Sequence, residues 1–456
     1  MAEFMTNADA FTWAMEADPR LRSTIVSLLI LDKTPDWDAV RLRFDRITRV
    51  LPAFRQKVVA SPVLAPPRWD PDQDFDLDYH LRRVSAPEPG TSDIDTVLAM
   101  CRVEAMESFD TARPLWRVTM VDGLPEGRSA LIIKLHHALT DGMGGVQIGM
   151  LLFDLTADAP TPELPDEPGA LGLLDRWGEY RETLRYGAGL LGSALTGALT
   201  AAPRLLADSL RDPLGAAGSA AETAASVYRT VRPINRKGSP LMRERTLRRE
   251  LSTHTAPLSV LREVAHARGA ALNDAFLAGV TGGLRRYHEH HDSPIGDLHL
   301  TMPISLRSEA DAMGGNHITL MRFDVPAGEP DPGRRIERIH RRVRRVRGER
   351  SLPYTQLIAG ALNLVPRPIL GSVLTNVDFL ASDVPGIPVP VYLAGARVVE
   401  QFAFGPTIGA AVNVTLLSYV DTCAFGIDVD AGAVPDADVF HRCLVEGFAE
   451  VLALGE

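Results

Sequence analysis

The stretch LIIKLHHALTDGMGG, residues 131–145, constrains this chain more than any other. An apolar run of strand character (Leu131, Ile132, Ile133) ends on two adjacent imidazoles, His136 and His137. Asp141 and the glycines Gly142, Gly144 and Gly145 follow. A strand leading through a turn into a helix is the local structure expected here. Successive side chains of an extended segment point to opposite sides, so the two histidines are expected to have different duties. One faces a cavity and serves as a base; the other packs inward and supports the turn. Histidine suits the first duty because its unperturbed pKa lies nearest neutrality, where it can take a proton from an alcohol. Asp141 either orients the catalytic imidazole or forms a buried ion pair that holds the loop. The glycines let the backbone turn sharply and a substrate approach closely. The bland alternative is a pair of core histidines at a strand end. Zinc is not expected, because adjacent histidines with one nearby Asp lack the usual zinc-ligand spacing.

At 456 residues the chain is too long for one ordinary core, so two lobes are expected. In the first half, residues 23–31 read as a strand, 36–50 as an amphipathic helix, 116–121 and 130–135 as paired strands, and 146–155 as a helix. In the second half, 246–251, 298–304 and 318–325 read as strands, 258–287 as a helix pair, 411–417 and 424–429 as a hairpin, and 437–452 as a closing helix. Such alternation implies an α/β or layered α+β fold. The boundaries expected are an N-terminal lobe over 1–160, a Pro/Ala/Gly-rich linker with a crossover helix over 161–239, and a C-terminal lobe over 240–456. Residues 186–203 hold 18 positions without a charge. They are dominated by Gly, Ala, Ser and Thr, which suits a crossover helix better than a membrane span.

A net charge of −10 argues against nucleic-acid binding. Positive charge is nonetheless concentrated at 334–350, where nine arginines interleave with Ile336, Ile339, Val343 and Val346 at helical spacing. That segment reads as a surface helix docked on the core with a solvated arginine face. The sharper readings are contact with anionic lipid headgroups or with coenzyme A phosphates. The three cysteines (Cys101, Cys423, Cys443) are too few and too far apart for a disulfide framework. The opening MAEFMTNADAF has neither basic nor apolar signal regions, so a cytoplasmic location is expected.

HHxxxDG marks the acyltransferase superfamily of chloramphenicol acetyltransferase, peptide-synthetase condensation domains and bacterial wax ester synthase/diacylglycerol acyltransferases. The chain resembles the last group along nearly its whole length. The resemblance rests on Asp9-Ala10-Phe11 with Met15-Glu16, Pro114-Leu115-Trp116, Leu272-Asn273-Asp274, and Gly315-Asn316 downstream of Pro303-Ile304-Ser305-Leu306-Arg307. Ser382-Asp383-Val384-Pro385-Gly386 and Ser418-Tyr419 complete the series, with Asp383 where the group usually has Asn.

The resemblance implies two chloramphenicol-acetyltransferase-like lobes with the active site in a tunnel between them. It makes His137 the general base, His136 structural, and Asp141 the partner of an arginine, for which Arg55 in Leu51-Pro52-Ala53-Phe54-Arg55-Gln56 stands in a suitable context. The thioester oxyanion needs a hydrogen-bond donor; Asn273 and Asn316 are the candidates, and Asn273 suits a helix cap equally well. Trp116 and Ser382 are further candidates for substrate contact, Trp116 also for core. No cofactor is implied beyond acyl-CoA as co-substrate. The expected reaction moves a fatty acyl group to a long-chain alcohol or diacylglycerol, with peripheral contact to the inner membrane or lipid inclusions. The alternative is a freestanding condensation-type acyltransferase that takes its acyl group from a carrier protein. A catalytically silent binding protein on lipid inclusions is a third reading, kept open by Asp383.

Overall fold

A computed structural model describes residues 3–61, 65–88, 90, 94–139, 142–167, 185, 238–305, 318–348 and 376–456. Most of the expected linker and crossover helix therefore lies outside the described residues. The first half runs β1 (Glu3–Phe4), α1 (Asn7–Met15), β2 (Thr24–Leu31), α2 (Trp37–Val50), β3 (Gln56–Val59), β4 (Arg68–Pro71), α3 (Leu77–His80), β5 (Leu81–Ser85), α4 (Ile94–Met106), β6 (Trp116–Asp122), β7 (Ser129–His136) and α5 (Gly142–Leu152). The second half runs β8 (Arg249–Pro257), α6 (Leu258–His266), α7 (Leu272–His290), β9 (Leu298–Ser305), β10 (Ile318–Val325), α8 (Pro332–Arg347), β11 (Phe379–Val384), β12 (Tyr392–Leu393), β13 (Ala396–Phe404), β14 (Val412–Tyr419), β15 (Thr422–Asp430) and α9 (Ala437–Leu452).

Local chemistry sets several of these boundaries. Asp36 caps α2 by accepting from the Ala39 amide at 2.8 Å, and Asp331 caps α8 from the Arg334 amide at 2.7 Å, with Pro332 as the first helical residue. The strand expected at 246–251 begins later and runs to Pro257, because Thr246 is held outside the ladder by the Asp430 carboxylate.

Two six-stranded sheets carry the fold, in orders β12-β13-β2-β7-β6-β5 and β10-β9-β11-β14-β15-β8; a third small sheet is β1-β4-β3. In the first sheet β7 lies between β2 and β6, and every one of its residues is buried. One face packs Leu29, Leu31, Leu131 and Ile133 against Val40, Phe44 and Ile47 of α2. The other packs Val26, Leu28, Ile30 and Ile132 against Val97, Leu98 and Cys101 of α4. The second sheet is covered by α6 to α9, where Phe276, Phe425 and Phe448 stack, the last two with ring centroids 4.2 Å apart.

The expected C-terminal lobe over 240–456 needs a correction. Residues 392–404 leave it and extend the first sheet, β13 pairing antiparallel with β2. The physical reason is the outer edge of β2, whose backbone groups need a ladder partner, and that partner comes from more than 360 positions away. The joint is tight. A Cβ on Gly426 of β15 would sit 2.0 Å from the Ala403 carbonyl oxygen of β13. Tyr419 of β14 donates its hydroxyl to the Val398 carbonyl (2.9 Å) and accepts from the Val391 amide (3.1 Å).

Helix α8 docks its apolar stripe inward, with Ile336, Ile339 and Val343 buried. Arg335 is fully buried with them, donating to the Ala278 and Glu329 carbonyls and to the Glu450 carboxylate. Arg334, Arg341, Arg344, Arg345 and Arg347 remain exposed.

Gly426→Ala is expected to destabilise the protein by about 1–3 kcal/mol through overpacking at this joint, read as a lowered urea midpoint. An unchanged midpoint would contradict the close approach of the two sheets.

Candidate active site

Strand β7 delivers the histidine pair to the rim of the first sheet. His136 is its last residue, opposite Thr24 of β2. Its amide donates to the Leu115 carbonyl (3.0 Å), and the His137 amide donates to the Ser23 carbonyl (2.8 Å). Both neighbouring segments therefore grip the backbone just where the strand becomes a turn.

The His136 side chain is fully buried, and both its nitrogens are engaged. Nδ1 lies 3.0 Å from the Ala138 amide. An amide N–H only donates, so Nδ1 accepts and the ring proton sits on Nε2. Nε2 then donates to Glu16 Oε1 at 3.1 Å. The same oxygen accepts the Ser23 amide at 2.7 Å. Trp13 and Phe109 meet the ring edge-on, at 5.5 and 6.0 Å between centroids. Burial works to raise the Glu16 carboxyl. The His136 hydrogen bond, the Ser23 amide and Arg22 together hold it below its ordinary value of 4.5. In the sequence Glu16 stands only within a short motif, and 120 positions separate it from His136.

His137, in the turn, is half-buried rather than enclosed. Gly142 is the first residue of α5, and Asp141 lies outside the described residues. Arg55 donates to Thr48 Oγ1 at 3.0 Å and to Asp45 Oδ1 at 2.9 Å, and its guanidinium lies 4.8 Å from the Phe75 ring centroid. Trp116 is core: it stacks on His80 at 4.4 Å and donates Nε1–H to the Phe54 carbonyl at 2.9 Å.

The remaining candidates belong to the second lobe. Asn273 is the second residue of α7 and only 6% exposed. It is not the cap: Ala271 holds that position, and its amide donates to Asp274. Neither polar atom of the Asn273 side chain has a hydrogen-bond partner among the described residues, an arrangement that suits a group waiting for a ligand. Asn316 lies outside the described residues. Ser382 is half-buried on β11, across from Thr415. Asp383 shares the opposite face with Phe379 and Ala381, which belong to the helix-covered core. Burial raises its carboxyl to about 6 against the opposing charges of Arg262 and Arg347. No group of three His, Cys, Asp or Glu is placed to hold a metal among the described residues. Nor is any helix among them long and apolar enough to cross a membrane.

Two family models match the chain: the wax ester synthase/diacylglycerol acyltransferase catalytic domain over residues 5–276, and the C-terminal domain of the same family over 314–451. A Mycobacterium tuberculosis protein named as a diacylglycerol O-acyltransferase is 38% identical over 448 residues, covering 96% of this chain and 89% of the relative. Among solved structures, a wax ester synthase/diacylglycerol acyltransferase from Marinobacter aquaeolei superposes with a TM-score of 0.66 at 21% identity, covering 99% of this chain and all of the other. The starter condensation domain of rhizomide synthetase, in complex with C8-CoA and Leu-SNAC, matches with a TM-score of 0.63 at 12% identity, covering 100% and 94%. These two share the fold, the two-lobed architecture of chloramphenicol acetyltransferase.

Two substitutions probe this region. Glu16's lowered pKa contributes stability that is present above 4.5 and lost as pH falls through the folded value. Glu16→Gln is therefore expected to lower the unfolding temperature at neutral pH, with the gap to wild type closing in acid. A gap constant with pH would remove the charge from the account. Asp383 has the opposite sign: its raised pKa costs stability that develops between 3.8 and about 6. Asp383→Asn should stabilise the protein above that window by about 2 kcal/mol, allowing for partial exposure, and should do nothing below it. Denaturant titrations at the two pH extremes test this, and equal effects at both would refute it.

Proposed function

The chain belongs to the wax ester synthase/diacylglycerol acyltransferase family and is an acyltransferase; we propose that it moves a fatty acyl group from acyl-CoA to a long-chain alcohol or diacylglycerol, with His137 as general base. One observation carries the assignment of the base. Both nitrogens of His136 are committed, one to the Ala138 amide and one to Glu16, and its ring is enclosed. That leaves proton transfer to His137, whose backbone is clamped by Ser23 and whose side chain is reachable.

The imidazole of His137 takes the hydroxyl proton as the acceptor oxygen attacks the thioester carbonyl. The tetrahedral intermediate collapses with cleavage of the carbon–sulfur bond, and the imidazolium returns its proton to the departing thiolate, releasing coenzyme A as a thiol and the ester. No covalent acyl-enzyme is needed when both substrates bind together, so orientation supplies much of the rate. Asn273 is our candidate for donating to the oxyanion through Nδ2, since that atom is buried and unpartnered. Asn316 and Ser382 remain candidates for substrate contact, and Asp141 for the loop's ion pair. The carrier-protein alternative is not favoured, because the family match spans both halves of the chain while the condensation domain resembles it only in fold.

We further propose that lipid inclusions or the inner membrane surface are met peripherally, through the exposed arginines of α8. With its apolar stripe docked inward, this helix can offer a membrane only charge.

Purified protein is expected to release thiol from palmitoyl-CoA and form ester when hexadecanol or dioleoylglycerol is added. His137→Ala should lower that rate at least about a hundredfold. Equal background from both proteins would reject the lipid acceptor and the base together.

A further inference from the structure

Lys134 stands two residues before His136 on β7 and projects to the same face of the sheet. Its side chain is 1% exposed. Taking an ammonium out of water is costly unless it is well paired. Burial lowers this one below its ordinary value of 10.5, against the pull of Glu104 and Glu107. An apolar chain such as methionine would fill the space without that cost, so the partners show what the charge is for.

Nζ donates to the Glu107 carbonyl at 2.9 Å and lies 3.4 and 3.5 Å from the Glu104 and Glu107 carboxylates. It also sits 4.8 Å from the centroid of the Phe109 ring, within cation–π range. Arg117, directly across the ladder on β6, reaches both carboxylates as well. Without Lys134 the carboxylates would keep a cation, whereas the carbonyl and the ring would lose theirs.

Those two holds act on one segment, residues 107–115 between α4 and β6. At its start Lys134 takes the Glu107 carbonyl, next to the Met106 carbonyl, which accepts from Arg22. Cations are favoured at the C-terminal end of a helix, so the pair seats α4 beside the histidines. At its end the His136 amide takes the Leu115 carbonyl. Between these anchors the half-buried Phe109 meets the His136 ring edge-on, and Trp13 does so as well. The enclosure keeps water from competing for Nδ1, which accepts the Ala138 amide.

We propose that Lys134 is a positioning residue for the histidine turn. Through the Glu107 carbonyl and the Phe109 ring it holds the wall over His136, so that Nδ1 keeps the Ala138 amide and the turn carrying His137 keeps its shape. The effect on rate rests on His137 being the base; the hold on His136 does not.

Two-bond proton–nitrogen correlation spectra of the full-length protein with labelled histidine read the His136 tautomer, and His136→Gln identifies its signals. The wild type is expected to carry the proton on Nε2. Lys134→Met should show both tautomers in exchange, and Lys134→Arg the wild-type pattern. In thiol release from palmitoyl-CoA with hexadecanol, Lys134→Met should lower kcat about tenfold and leave the KM for palmitoyl-CoA unchanged. Lys134→Arg should recover most of that rate. Phe109→Leu should behave as Lys134→Met does, and the double variant should be no slower than either, because both act along one route. If Lys134→Met does not fold, Phe109→Leu decides by the same two readouts. A wild-type tautomer or a wild-type kcat in either folded single variant, or losses that multiply in the double variant, overturns the proposal. Absence of turnover by the wild type would instead strike the lipid-acceptor reading and leave the tautomer test standing.

Discussion

A single carboxylate oxygen organises the histidine-bearing end of the first sheet. Glu16 Oε1 accepts from the Ser23 amide at the start of β2 and from His136 Nε2 at the end of β7. Ser23 in turn accepts the His137 amide through its carbonyl, and His136 accepts the Ala138 amide through Nδ1. The path from Glu16 thus reaches the backbone on both sides of His137 through two short routes. A turn held in this way has little freedom to redirect its side chains, which is what a proton-transfer group needs from its surroundings. The arrangement also explains why two adjacent histidines are present. The first is a polar strut whose tautomer is set by an amide; the second, half-buried in the turn, is the one to which the proposed function gives the proton transfer.

This strut depends on a larger constraint, the pairing of β13 with β2. Strand β2 lies between β7, which carries the histidines, and β13, which comes from the other half of the chain. On its far side β13 packs against the second sheet, where Gly426 makes room for its backbone. The two lobes are therefore joined through hydrogen-bonded strands as well as by side-chain contact. The joint inherits the rigidity of both sheets, and relative motion of the lobes is limited to what the ladder tolerates.

Much of this was legible in the sequence where the information is local. The periodicity of 437–452 and of 318–325 identifies a helix and a strand with the boundaries found. The helix pair over 258–287 and the hairpin of β14 and β15 follow the same rule. The arginine-rich segment is the docked surface helix that its spacing implied. What stayed hidden is non-local. Alternation marks 396–404 as a strand only weakly, and nothing in that alternation says which sheet has an open edge for it. The pairing of Glu16 with His136 spans 120 positions. Arg55, singled out by its context, has Asp45 and Thr48 on the preceding helix as neighbours, a contact that helix geometry could have suggested.

The crossing of 392–404 also orders events at the ribosome. When the first half of the chain has been made, β2 and β7 can pair, but the outer edge of β2 stays open until residue 404 has emerged. Domains of many proteins fold one after another as they are synthesised. Here the nascent first lobe must wait through the second with an unpaired apolar strand exposed, a template for pairing with other chains. Yield of native protein should then depend on how long that edge stays unpaired as well as on the strength of either core.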